Sequence, residues 1–376
     1  MTAPLVLFET MYELPYDGWC AASRAYALGM KRAGIDVRLQ SWREQKGPVP
    51  PKIVAQVGDM MRPCERPWDA YIWSGGFFGP FEGMAGVLAK LIKMRDQFRK
   101  PVAFYTMFER TNVQPELVPL LNRLDSVMVP CSANLRALER AGVRNARFIR
   151  IPFFSDDPHL GLPAPKSPPR TFYWIGRWEP RKAPHRLIKA FLHAFEPGTA
   201  ELVVKIGPEP WVRSPYVTPE QAVERALAEV GDKWFKDDVG KAVTVIRAKL
   251  EPEEIVGLHA RGDVYVSASH GEGIDMPAFA AKLAGRRVVT VACGGPEDFV
   301  DEGDFLVPAK GEIAIPAYDR VWGAGSTAVD YDVDDLVSAL RLAKRMRTPP
   351  VRACVGAHHV ELVAPHLKQW IGSMVH

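Results

Sequence analysis

Residues 269–285, SHGEGIDMPAFAAKLAG, constrain this chain more than any other stretch. Directly before them, residues 263–268 (DVYVSA) form a short β-branched run of the kind that becomes a buried strand. Polar and glycine residues then turn the chain, and Pro277 stands where its fixed φ suits the first turn of a helix. Residues 278–284 are good helix formers, Gly285 fits the stop, and residues 287–291 are the next apolar strand. A strand, a glycine-bearing turn and a helix start together aim unpaired backbone N–H groups at an anion. An ordinary strand-to-helix turn with nothing bound has the same outline.

A second stretch shifts that balance. Residues 171–175 read as a strand, Gly176 ends it, Arg177 and Lys182 follow, and a helix is expected over roughly 184–195. Two cations five residues apart on a strand-to-helix loop suit a diphosphate. One grips as a bidentate fork and the other acts as a point charge.

Together the two stretches resemble the donor half of the family-4-type retaining glycosyltransferases of the GT-B fold, the group 1 glycosyl transferases. The family's GR-x4-K-G pattern, followed by a helix with LI-x-AF, is similar to Gly176-Arg177, Lys182 and Leu187-Ile188-Lys189-Ala190-Phe191. Its second pattern, from serine through E-G to P-V-V, is matched by Ser269, Glu272, Gly273, Pro277, Ala281, Leu283, Gly285 and Val288-Val289. The resemblance is specific over residues 171–308 and weaker in the first half.

The rest of the chain is consistent with two α/β domains. At 376 residues it is long enough for two substantial cores. Strand-like segments at 4–8, 35–40, 69–73, 102–106 and 126–129 alternate with helix-like ones at 18–33, 84–98, 115–123 and 132–140. Ser132 is a candidate cap for the last of these. Such alternation predicts a parallel sheet covered on both faces, with ligands beyond the carboxyl ends of its strands. Residues 153–169 break the pattern with five prolines, which is linker composition. The alternation then restarts, with Thr218 and Gln221 spaced for a capping box. The expected organisation is a Rossmann-like acceptor domain at 1–155, a Rossmann-like nucleotide-sugar donor domain at 170–350, and a C-terminal segment at 351–376 crossing back as a helix over 355–374. That is the GT-B architecture, two doubly wound parallel sheets facing a cleft.

Composition narrows the setting. No run of eighteen apolar residues and no signal-like N-terminus occurs, and the five cysteines are scattered without ligand spacing. The expectation is a cytoplasmic protein with reduced thiols, no metal site and no transmembrane segment. Residues 1–160 carry 21 Lys+Arg against 16 Asp+Glu (+5), and residues 161–376 carry 27 against 28 (−1). A basic first half can attract an anionic acceptor such as DNA, or peripheral contact with an anionic membrane. Solvated helix faces give the same count.

The resemblance implies a metal-independent, retaining transfer of a hexosyl or pentosyl group from a UDP- or GDP-linked sugar to an acceptor hydroxyl, with no further cofactor. It gives Arg177 and Lys182 the leaving diphosphate and Glu272 the sugar hydroxyls. Gly176, Gly273, Ile274, Asp275 and Arg247 join the donor site, and Gly18 approaches the phosphate from the opposite domain. On the acceptor side stand Asp17, Glu109 and the Phe77-Phe78 pair between glycines, where exposed rings can stack on a base. The Asp332-Val333-Asp334 string precedes a helix start and reads as an acid-rich, capped first turn instead of a metal motif. Ala280 stands where the family commonly holds the donor ribose with a glutamate. Two other functions accompany the first: transfer to a hydroxylated base in DNA, suggested by the basic first half and the cleft aromatics, and a degenerate module that binds a nucleotide sugar or a partner without turnover, suggested by Ala280.

Overall fold

The β-branched and aromatic runs pair into two separate parallel sheets in a computed structural model of the chain. It describes residues 3–15, 17–42, 47–76, 81–207, 216–316 and 325–375. Phe77 and Phe78 lie outside the described residues. The first sheet contains β1 (Leu5–Glu9), β2 (Asp36–Gln40), β3 (Ala70–Ser74), β4 (Val102–Tyr105), β5 (Ser126–Val129) and β6 (Ala146–Phe148), in the order β2-β1-β3-β4-β5-β6. The second contains β7 (Thr171–Gly176), β8 (Glu201–Ile206), β9 (Val243–Ile246), β10 (Val264–Val266), β11 (Arg287–Val291) and β12 (Phe305–Val307), in the order β12-β11-β10-β7-β8-β9. Every pairing in both is parallel. Helices cover both faces, so β4, β5 and β11 are buried at every residue and are mostly apolar, with Ser126, Arg287 and Thr290 the buried polar exceptions. The predicted fold class is the one observed.

Each sheet reverses its direction of growth once, at β1/β3 in the first and at β7/β10 in the second. Crevices outside the carboxyl ends of strands open at such points. The loops that leave β7 and β10 carry Arg177–Lys182 and Glu272–Asp275, so topology alone brings the two informative stretches together. The loop after β1 leads to Asp17 and the helix Gly18–Arg32.

Local signals explain most helix ends. Asp17 caps its helix by accepting from the Cys20 amide, and Lys31 and Arg32 lie in the last turn, where the helix dipole favours cations. The Thr218–Gln221 capping box forms as expected, and Asp332 caps the helix Val333–Arg345 by accepting from Asp334. The helix expected over 115–123 instead splits into a 3-10 turn, Pro115–Leu117, and a single α turn, Val118–Leu121. Pro119 has no amide to donate to the Pro115 carbonyl, so a continuous helix would lack that bond in its first turn. Ser132 does not cap its helix. It is the first residue of Ser132–Ala141, and both its amide and its hydroxyl donate to Asp298 of the second sheet's domain, at 2.7 and 2.5 Å. An antiparallel hairpin, β13 (Gly311–Ala314) with β14 (Thr327–Asp330), was not legible in the sequence.

The helix Val360–Val375 packs against the first domain's Gly18–Arg32 helix. A four-residue turn, Ala353–Gly356, precedes it, so it starts later than the expected 355. Gly29 leaves room for this contact, since a Cβ there would come within 2.9 Å of Leu367 Cδ1. Trp370 is buried, and its indole N–H donates to the Ser126 hydroxyl at 2.9 Å. Among the described residues no helix is long and apolar enough to cross a membrane. Trp370→Ala removes a buried ring and the partner of Ser126, so it should lower unfolding free energy by about 3–5 kcal/mol. Urea denaturation measures this, and an unchanged midpoint would show that the helix is not docked.

Candidate functional site

The loop after β7 is built to present charge. Gly176 closes the strand where a Cβ would lie 2.3 Å from the Trp174 ring, and a 3-10 turn then spans Pro180–Lys182. Ala183 takes a left-handed conformation (φ 45°) and hands the chain to the helix Pro184–Ala194, whose first turn accepts Pro184. This short path faces Arg181 and Lys182 into the crevice. Lys182 Nζ lies 2.5 Å from Glu272 Oε1. Arg177 reaches the other way and stands 3.5 Å from Asp17 Oδ2, across the gap between domains.

Arg181, which no motif in the sequence singles out, is the hub. It is only 5% exposed. Its guanidinium lies 3.0 Å from Glu109 of the first domain, 3.3 Å from Glu179 and 3.4 Å from Glu272, and it donates to the Gly271 carbonyl at 2.5 Å. One cation thus joins carboxylates from both domains. The local signal is the string Glu179-Pro180-Arg181, an acid and a cation inside the four variable positions between Arg177 and Lys182.

The loop after β10 closes against the first domain. A Cβ on Gly271 would sit 2.0 Å from the Glu109 carbonyl oxygen, and one on Gly273 would sit 3.0 Å from the Met107 side chain. Glycine is therefore required for the two domains to approach this closely. Asp275, in the left-handed region (φ 60°), caps the helix Met276–Leu283 by accepting from Ala278. Gly18 faces the start of that helix, with Met276 Cγ 3.6 Å from where its Cβ would be. Ile274 is buried behind the loop.

Burial and charge divide the carboxyls. Burial raises the Glu272 carboxyl, but Lys182 and Arg181 outweigh it and hold the group below the usual range. Burial raises Glu109, Arg181 counteracts it, and Glu272 adds to the rise. Asp275 is pushed up to about 6 by burial and by Glu272. His270 donates from Nδ1 to the Val329 carbonyl at 2.7 Å, and burial lowers it to about 4, so it is neutral at pH 7.

The structure thus gathers Arg177, Lys182, Glu272, Gly273, Asp275, Asp17, Gly18 and Glu109 around one crevice. It does not bring Arg247 there. That side chain follows β9, the outer strand, and pairs with Glu220 on the Pro219–Val230 helix. With β8 between β9 and β7, it is displaced sideways by about 10 Å. Part of the basic excess of the first half is neutralised by ion pairs: Arg95 with Asp125, Arg123 with Asp96, and Arg136 with Glu297.

This architecture is the GT-B fold, and residues 169–317, the domain that carries Arg177, Lys182 and Glu272, match the family model described as glycosyl transferases group 1. Solved structures agree on the fold over nearly all of the chain. HepE of Anabaena, in complex with UDP and glucose, is 16% identical, with a TM-score of 0.55 over 98% of this chain and 100% of that one. Sucrose-phosphate synthase from Thermosynechococcus elongatus is 15% identical, with a TM-score of 0.59 over 98% and 97%. A trehalose-phosphate synthase from Burkholderia xenovorans, in complex with glucose-6-phosphate, is 11% identical, with a TM-score of 0.61 over 98% and 100%. No curated protein matches the sequence.

Two outcomes follow from this geometry. Arg181→Met strands buried Glu179 and Glu272 beside each other and should cost about 3–5 kcal/mol in urea unfolding, with Arg181→Lys restoring part of it. A midpoint unmoved in the methionine variant would remove Arg181 from this role. The folded Asp275 carboxyl keeps its proton to about pH 6, against 3.8 for an ordinary aspartate. Folded protein therefore binds more protons than unfolded in that window, and stability falls as pH rises through it. Asp275→Asn keeps a capping oxygen, so its advantage over the parent should grow between pH 4 and 7, to about 3 kcal/mol. A pH-independent difference would contradict this.

Proposed function

We propose that the chain is a glycosyltransferase that takes a sugar from a nucleotide diphosphate donor, UDP-linked before GDP-linked, and passes it to an acceptor hydroxyl. The observation that carries this is the Lys182–Glu272 contact at the β7/β10 switch point, with Arg177 facing Asp17 and Gly18 across the cleft. The match to group 1 glycosyl transferases over the same residues and the UDP bound to HepE support it.

In this reading the diphosphate lies between Arg177 and Lys182. Lys182 turns from Glu272 to the phosphate, and the two cations stabilise charge that grows on the leaving group. Glu272 is then released to accept from the sugar hydroxyls while Arg181 keeps it ionised and in place. Residues 273–275 line the sugar, Gly18 lets the first domain come close to the phosphate, and Glu109 stands on the acceptor side. The transfer retains anomeric configuration and draws its charge neutralisation from side chains. Domain 1–155 presents the acceptor, and domain 170–350 the donor. Ala280, half-buried on the Met276–Leu283 helix, offers no carboxylate to a ribose, so the donor's affinity rests on its diphosphate and sugar.

Thermal-shift titration with UDP, GDP and their glucose conjugates tests the donor site, because a ligand bound only by the folded state raises apparent stability. Consumption of UDP-glucose then separates an enzyme from a binding module without turnover. Lys182→Ala should lower turnover by at least about 100-fold, the scale of one lost electrostatic group, and, because it leaves buried Glu272 to Arg181 alone, lower unfolding free energy by about 1–3 kcal/mol. Unchanged turnover in that variant would mean that the diphosphate site lies elsewhere.

A further inference from the structure

The first-domain segment after β4 has two sides. Met107 and Glu109 face Gly273 and Arg181, while Phe108 and Arg110 line a second crevice of about 120 Å³ between the domains. Asn134 fixes the segment by donating to the Phe108 carbonyl at 2.9 Å and accepting from its amide at 3.2 Å. The crevice is bounded by the start of the Ser132–Ala141 helix, by His270 and Gly271 before the donor loop, and by Cys293 to Glu297 after β11.

Three arginines line it. Arg110 is 5% exposed and donates to the Ser326 hydroxyl at 3.0 Å. Burial pulls its guanidinium down to about 10, which leaves it cationic at neutral pH. Arg136 pairs with Glu297 at 2.7 Å and donates to Ser132 at 3.0 Å. Arg140 follows one helical turn later on the same face and is exposed at the rim. Against these three cations the lining holds one carboxylate, Glu297, and Asp298 stands behind it on Ser132. His270 is neutral, so the balance stays positive with both acids counted. That volume leaves room for one tetrahedral oxyanion. Guanidinium forks match the oxygen spacing of such an ion.

We propose that this crevice is an oxyanion site that holds a phosphate ester carried by the acceptor. The assignment to the acceptor rests on the donor reading above, which leaves this face of the cleft to the second substrate. The ester would lie against Arg110 and Arg140, with the rest of the acceptor passing Gly271 toward the donor sugar. A neutral acceptor gains nothing from these side chains.

Calorimetric titration of the UDP-saturated protein tests this, because UDP occupies Arg177 and Lys182 first and keeps the probes off them. The probes are inorganic phosphate, glucose 6-phosphate and glucose. Both phosphate-bearing probes should bind and glucose should not, and each affinity should fall at least tenfold in Arg140→Gln and in Arg110→Gln. Arg140 is exposed, so its variant keeps the test valid if the buried Arg110 variant folds poorly. UDP binding with no phosphate binding would overturn the oxyanion site and leave the donor reading standing. Phosphate affinity unchanged in both variants would overturn it equally. Inorganic phosphate binding with glucose 6-phosphate excluded would overturn the ester assignment. If UDP itself fails to bind while phosphate binds in an arginine-dependent way, the donor reading falls and the oxyanion site stands.

Discussion

A single buried guanidinium holds together groups that would otherwise repel one another. Glu109, Glu179 and Glu272 converge within 3.0–3.4 Å of Arg181, two of them from one domain and one from the other. Buried carboxylates at such distances are tolerated only when a cation lies between them, because the low dielectric magnifies both attraction and repulsion. The same side chain donates to the Gly271 carbonyl, and Gly271 is where the first domain's backbone comes closest. Charge pairing and backbone approach therefore depend on each other. A side chain at 271 would push Glu109 away, and loss of Arg181 would remove the reason for Glu109 to stay.

That arrangement also explains why Lys182 and Arg177 differ. Lys182 is mostly buried and already paired with Glu272, whereas Arg177 is 43% exposed and only loosely opposed to Asp17. A charged ligand entering the crevice would meet Arg177 first and then compete with Glu272 for Lys182. Glu272 would not be left as an isolated buried charge, since Arg181 remains beside it. A site of this kind can exchange one partner for another at modest electrostatic cost.

Legibility in the sequence followed the range of the interactions. Asp17, Thr218 and Asp332 cap their helices through bonds to amides two or three residues away, and such spacing is visible in one dimension. Ser132 has the same spacing, but its hydroxyl turns to Asp298, a residue 166 positions away. The 115–123 segment breaks for a local reason that is visible in the sequence, the missing amide of Pro119. Arg247 is expected at the donor site, yet the sheet order puts its strand at the outer edge. Strand order is set by which crossovers pack, and the residues of one strand do not record it.

The sequence by itself determined the two strand-turn-helix units, the domain type, and the presence of Arg177, Lys182 and Glu272 on loops, because these depend on apolar periodicity, glycine and proline backbone limits, and short spacing. Only the tertiary structure decided that β7 and β10 are neighbours, that Glu109 meets Arg181, and that Arg110, Arg136 and Arg140 share a crevice. Those contacts reach across long stretches of chain, 92 positions from Phe172 to Val264 and 72 from Glu109 to Arg181. Their energies come from burial and charge at short distance, which exist only once the sheets have formed and the domains have closed.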